Sequence, residues 1–122
     1  MDCIFCKIVK GEIPSYTLYE DDYVLCFLDI NPVNKGHILI VPKKHFLDNL
    51  DIDNEYLTKI HDASKKMMGL LDKTFKPNGY RLIQNNGVLQ EVKHYHLHII
   101  PSYLDEDNED IEEVFKKLKS NC

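Results

Sequence analysis

The sequence predicts an α+β protein, a mainly antiparallel five-stranded sheet with one long helix packed across it and a second helix at the C-terminus. Two observations carry the prediction. One stretch, from about Asp53 to Phe75, repeats its apolar residues at helical steps, whereas five short apolar runs elsewhere are bounded by turn residues. Their order, ββ-β-α-ββ-α, groups strands with strands and favours antiparallel neighbours.

Each element has a local reason. Phe5 to Gly11 reads as a short helical turn, closed by Gly11 and then Pro14. Thr17-Leu18-Tyr19 and Tyr23 to Leu28 read as two strands of a hairpin turning at Glu20-Asp21-Asp22. Asn31 to Gly36 is a loop by composition. His37-Ile38-Leu39-Ile40-Val41 lacks polar alternation, as expected of a central strand buried on both faces. In the long helix Leu57, Ile60, Ser64, Met67 and Leu71 form the stripe, with Ala63 and Leu70 widening it. Asp51 or Asp53 can cap its start, and Pro77-Asn78-Gly79 ends it. The Met67-Met68 pair reads as core filling and His61 as a boundary residue. Tyr80 to Gln84 and Tyr95 to Pro101 supply the last strands, and Asn108 to Lys119 the final helix.

Bulk properties narrow the class of function. A chain of 122 residues suits one domain, spanning 1–122, and 43% apolar residues is ordinary for a folded protein. No apolar run approaches the roughly 20 residues that cross a bilayer, and the first residues lack the basic start of a secretion signal. A cytoplasmic protein is expected. The net charge of -5 argues against a general nucleic-acid binder, while leaving room for one small anionic ligand. Asp105 to Glu113 precedes Lys116, Lys117 and Lys119, an order that suits the dipole of a solvated helix. Of the cysteines, Cys3 and Cys6 have a spacing that suggests chemistry.

The strongest chemical signal is the run His94-Tyr95-His96-Leu97-His98. On a strand, alternate residues share a face, so the three imidazoles project together about 6.6 Å apart while Tyr95, Leu97 and Ile99 enter the core. A row of imidazoles adds little hydrophobic stabilisation, so folding alone does not account for it. Two chemistries use such a row. One is metal binding through His-x-His. The other is phosphate chemistry, in which a neutral imidazole attacks phosphorus and others donate hydrogen bonds.

The chain resembles the histidine-triad (HIT) family of nucleotide-binding proteins, most of all its small prokaryotic Hint-type branch. The family motif is His-φ-His-φ-His-φ-φ with φ apolar, and residues 94 to 100 read His-Tyr-His-Leu-His-Ile-Ile. Cys3-Ile4-Phe5-Cys6-Lys7-Ile8, Phe27-Leu28-Asp29-Ile30, Gly36-His37, Val41-Pro42-Lys43-Lys44-His45 and Asn85-Asn86-Gly87 follow in the family's order. The resemblance implies a HIT-like fold and a hydrolase or nucleotidyl transferase acting at the α-phosphorus of a purine nucleoside phosphoramidate or related nucleotide. It implies that His96 is the nucleophile, that His98 donates to phosphate oxygens, and that His37 supports the triad. It assigns the nucleoside walls to Ile4, Phe5, Ile8, Phe27 and Ile30, the ribose contact to Asp29, and further nucleotide contacts to Asn85 and Gln90. A homodimer, paired across the long helix and adjoining strand, is expected on the same ground.

The resemblance also implies a structural zinc held by Cys3, Cys6, His45 and His94. A Cys2His2 set closes a tetrahedron and leaves no open position, so such a metal would brace the N-terminal segment. No organic cofactor is expected. The chain departs from the family between Asn85-Asn86-Gly87 and the triad, where the segment is shorter and Glu91 stands where a small hydroxyl residue is usual. That puts the leaving group in question. Two alternatives stay open: a metal-dependent phosphohydrolase, and a nucleotide-binding or interaction protein with little turnover.

Overall fold

In a computed structural model, which describes residues 3–105 and 108–122, the chain forms a five-stranded sheet in the order β1-β2-β3-β5-β4. Every paired neighbour is antiparallel. The elements run α1 (Ile4–Val9), β1 (Thr17–Glu20), β2 (Val24–Leu28), β3 (Ile38–Pro42), α2 (Asn54–Phe75), β4 (Gly79–Gln84), a 3-10 turn (Gly87–Leu89), β5 (Leu97–Ser102) and α3 (Ile111–Ser120). Glu106 and Asp107 of the acidic stretch lie outside the described residues. No described helix is long and apolar enough to cross a membrane.

The predicted helix is capped where its sequence allows. Asp53 accepts from the Tyr56 amide at the N-terminus of α2, and Lys76 closes the helix in the left-handed conformation, returning its N–H to Asp72 and Leu71. Ile60, Ala63, Ser64, Met67, Leu70 and Leu71 are buried against one face of the sheet, and His61 is exposed. That face contributes Val24, Cys26, Leu28, Ile38, Ile40, Leu97 and Ile99 to one core. Cys26 is fully buried there, and burial pushes its thiol up to about 12, which makes it inert filling.

The hairpin turns on Asp21, whose Oδ1 accepts from the Tyr23 and Val24 amides at 2.8 and 2.9 Å. β3 is central and buried at all five positions, as its unbroken apolar run requires. Gly36 precedes it with φ +85, and a Cβ there would stand 2.8 Å from Leu71 Cδ2. Both facts demand glycine, and together they let α2 approach the base of the strand.

Several boundaries differ from expectation by a residue or two, and three of the differences are at element starts that matter here. β3 begins at Ile38, leaving His37 just outside it, and α3 begins at Ile111 rather than Asn108. Most consequential, β5 begins at Leu97, so His94, Tyr95 and His96 precede the ladder. The reason is Pro42, which has no N–H and whose carbonyl is taken by His94 Nε2 at 2.9 Å. The Tyr95 amide turns instead to Phe46 O at 2.7 Å. The facing nevertheless holds: Tyr95, Leu97 and Ile99 are in the α2-side core.

Candidate active site

The opposite face of the sheet carries Leu25, Phe27, Leu39 and Val41, covered by α1 through Cys3 and Phe5. The histidines project to this side. The Phe5 ring meets the rings of His94 and His96 edge-on at 5.9 and 5.0 Å, and Phe27 at 5.8 Å. One six-residue helix therefore packs against the first two histidines of the row.

Hydrogen bonds assign a tautomer to four of the imidazoles, those of His37, His94, His96 and His98. The Val33 N–H donates to His37 Nδ1 at 3.1 Å, so that nitrogen accepts and the His37 proton is on Nε2. His37 Nε2–H then donates to His98 Nδ1 at 3.0 Å, which puts the His98 proton on Nε2. His96 Nδ1 lies 2.8 Å from the His94 carbonyl, an acceptor, so Nδ1 carries the proton and Nε2 keeps its lone pair. His94 Nε2 donates to Pro42 O, leaving the lone pair of Nδ1 free for the cysteines. The result is four neutral rings with different exposed chemistry.

Burial supports neutrality. It holds His37 and His96 below the usual imidazole value and pushes His94 and His98 down to about 4, where the nearby rings also act. For His96 the His94 carbonyl and the charges of Asp29 and Glu91 work in the opposite direction, but burial is the larger cause.

His96 and His98, with ring centroids 4.9 Å apart, line a cavity of about 240 Å³. Its apolar walls include Ile4, Phe5, Ile8, Phe27 and Ile30, and Asp29 stands among them. Ile4 and Ile30 are 48% and 72% exposed, and apolar side chains left open around a cavity mark a ligand surface. Asp29 Oδ1 accepts from Asn31 N at 2.9 Å, while Oδ2 lies 3.6 Å from His37 Nε2. His37 is absent from the lining and acts from behind His98.

Two candidates sit elsewhere. Asn85 is not among the lining residues. Gln90 is buried, with Nε2 donating to Leu47 O at 2.7 Å and Oε1 unpaired, so it ties the segment after the 3-10 turn to the loop beyond His45. Sequence reasoning missed Ile13, Pro14 and Ser15, which also line the cavity. Their signal was weak: they form a connection without periodicity, brought close by the fold.

Cys3, Cys6, His45 and His94 converge, with all their donor atoms within 4.8 Å of one another. Cys3 Sγ is 3.3 Å and Cys6 Sγ 3.5 Å from His94 Nδ1, and Cys6 Sγ is 3.2 Å from His45 Nδ1. The Cys6 amide donates to Cys3 Sγ at 3.3 Å, a contact that favours a thiolate. Burial and the neighbouring Cys3 raise the Cys6 thiol, a cost that a divalent cation would reverse. Two sulfurs and two imidazole lone pairs at these separations fit tetrahedral zinc.

Asp29, His37 and His98 also cluster with ligand-type atoms. Here the Val33 N–H occupies the His37 Nδ1 lone pair, so ligation through Nε2 would require breaking that bond or losing a second proton. This group is built as a hydrogen-bond relay.

An antiparallel α+β fold with a row of neutral, differently poised imidazoles over a nucleoside-sized apolar cavity defines a class of phosphate-handling protein. The HIT domain model matches residues 10–105, and the chain belongs to the histidine-triad family. A HIT-like protein of Methanocaldococcus jannaschii is 44% identical over 128 residues, covering 96% of this chain and 98% of its own. The adenosine 5'-monophosphoramidase of Saccharomyces cerevisiae is 48% identical over 101 residues, covering 81% of this chain and 61% of that protein. The crystal structure of a zinc-bound histidine triad family protein from Mycobacterium smegmatis superposes with TM-score 0.90 at 30% identity, covering 99% of this chain and 93% of that one.

Proposed function

We propose that this chain is a nucleotide hydrolase that cleaves purine nucleoside phosphoramidates, or related nucleotides, at the α-phosphorus through a nucleotidyl-histidine intermediate on His96. The observation that carries the reading is the tautomer of His96. Its Nδ1–H is anchored on the His94 carbonyl, so a neutral, nucleophilic Nε2 belongs to a ring that lines the cavity. The name of the yeast relative supports the substrate class.

In the first step the Nε2 lone pair forms a bond to phosphorus, and the bond from phosphorus to the leaving amine breaks. The electron pair departs with the amine, which takes a proton from solvent water. In the second step a water oxygen bonds to phosphorus, the bond from phosphorus to Nε2 breaks, and its electron pair returns to the ring. The water proton passes to solvent and a nucleoside monophosphate is released. His98 Nε2–H donates to a phosphate oxygen throughout, held in place by His37 and the Val33 amide. The base lies between Ile4, Phe5, Ile8, Phe27 and Ile30, and Asp29 accepts from the ribose hydroxyls.

Cys3, Cys6, His45 and His94 would hold zinc in this reading. A zinc ion held there would supply no reacting group; it would brace α1, and with it Phe5, against the nucleophile. The expected homodimer belongs to the same reading, with β4 an edge strand and its Leu82 46% exposed.

The test is a brief pulse of adenosine phosphoramidate followed by intact-mass measurement. The expected result is a protein carrying one added nucleotidyl group, absent in His96→Ala. Undiminished turnover by that variant would overturn the assignment.

A further inference from the structure

The charge of the cavity says more about the substrate than its shape does. Among the described residues that line it, the ionisable side chains are Asp29, Glu91, His96 and His98, and no lysine or arginine joins them. Neither imidazole is a fixed cation: His98 accepts at Nδ1 from the His37 ring, and His96 turns its Nδ1 to the His94 carbonyl and leaves Nε2 to the cavity. A site meant to hold a phosphate is therefore walled by two carboxylates. That is unfavourable for a polyphosphate, whose charges would go uncompensated.

The two carboxylates are placed differently. Asp29 is engaged by the Asn31 amide and stands beside His37, on the side of Phe27 and Ile30. Glu91 is exposed and has no hydrogen-bond or ion-pair partner among the described residues. Its segment leads directly into the histidine row, and its charge acts on His96. The neighbouring cation is occupied elsewhere, since Lys93 Nζ donates to Gly87 O at 2.6 Å. Gln90, clamped to Leu47, fixes the backbone next to Glu91, so the carboxylate is carried on an anchored segment although its side chain is free.

We propose that Glu91 is a specificity-determining residue, making the site selective for nucleotides whose leaving group carries a positive charge, such as an aminoalkyl amine ending in an ammonium, over those whose leaving group is anionic. This rests on the reading of His96 as the nucleophile. Nucleotidyl transfer itself is unchanged by it: the bond to phosphorus breaks as before, and Glu91 takes no proton and forms no bond. Its part is to attract the departing group before attack and to repel polyphosphate.

The experiment uses three adenosine phosphoramidates of equal length whose leaving amine ends in an ammonium, a methyl or a carboxylate group. For the unmodified protein kcat/KM is expected to rank ammonium over methyl over carboxylate. A unit charge pair at a solvated rim gives a roughly five-fold step on each side at low salt. The preference should reside mainly in KM and shrink at high ionic strength, as screening requires. Glu91→Gln should collapse the ammonium-to-carboxylate ratio towards unity, and Glu91→Lys should invert it. An unaltered ratio in both variants overturns the proposal. If the unmodified protein turns over none of the three, the reading of His96 falls instead. The affinities of the same three compounds by calorimetry then still read the charge preference and decide the role of Glu91.

Discussion

The two faces of the sheet are built to opposite rules. Towards α2 the sheet presents Val24, Cys26, Leu28, Ile38, Ile40 and Ile99 to a 22-residue helix whose buried stripe is apolar apart from Ser64. Towards α1 it presents Phe27, Leu39 and Val41 to a six-residue helix and a row of imidazoles, with a cavity left between. One face is held by area buried. The other is held by oriented polar contacts, with the Val33 amide, the Pro42 carbonyl and the His94 carbonyl each setting one ring. The difference teaches that stability and chemistry in this protein are separable: damage to either face should leave a distinct signature.

The largest separation is expected from His96→Ala. Removing a nucleophile should lower kcat by at least about 10⁴-fold, while the melting temperature moves by only a few degrees. A comparable loss of folding would show that the imidazole row is part of the core. Chelation comes next. Removing zinc from protein prepared at a thousand-fold excess over its Kd should cost about 4 kcal/mol of stability, read as a shift in denaturant midpoint. The same loss should follow from Cys6→Ser, and the residual folded protein should still form the His96 adduct. Failure of zinc to shift the midpoint would remove the metal from this face.

Leu71→Ala attacks the other face. Leu71 is fully buried beneath Gly36, so truncation should cost about 2–5 kcal/mol and leave activity per folded molecule intact. The smallest effect is linked to pH. His98 in the folded chain is pushed down to about 4, below its ordinary value. The unfolded chain therefore takes up the proton first as pH falls. The stabilisation is complete above about pH 6.5 and is lost progressively as pH falls towards 4. Thermal unfolding of the protein should show a decline of roughly 1–2 kcal/mol across that window, beyond the decline in His98→Gln, after allowance for partial exposure. Parallel profiles would show that His98 is not buried as a neutral ring.

Most of the architecture was legible because its signals are periodic and local. The stripe Ile60–Ser64–Met67–Leu71, the unbroken apolar run of β3 and the Asp21 turn each act within a few residues of themselves. The strand start at Leu97 was not legible, because it depends on Pro42, more than fifty positions away in sequence, lending its carbonyl to His94. In the site, the facing of the three histidines followed from alternation, and the rings stayed on one side even though two of them leave the ladder. Asn85 and Gln90 resemble cavity residues by their place in the chain, yet neither lines it, since the short segment after the 3-10 turn carries Glu91 and Val92 into the wall instead.

By itself the sequence determined that three imidazoles would share one side of a strand, that two cysteines had a spacing that suggests chemistry, and that one long helix would cover an antiparallel sheet. Those are consequences of backbone geometry, which repeats every two or every 3.6 residues regardless of what lies across the fold. The tertiary structure alone decided which nitrogen of each ring is protonated. For His94 and His98 that choice is made by a single acceptor or donor brought from elsewhere in the chain, the Pro42 carbonyl and the His37 ring. It also alone decided that the cavity beside those rings would be walled by carboxylates and no lysine or arginine among the described residues. Net charge is a sum over the chain, whereas the field at a phosphorus atom depends on the few charges the fold sets within reach.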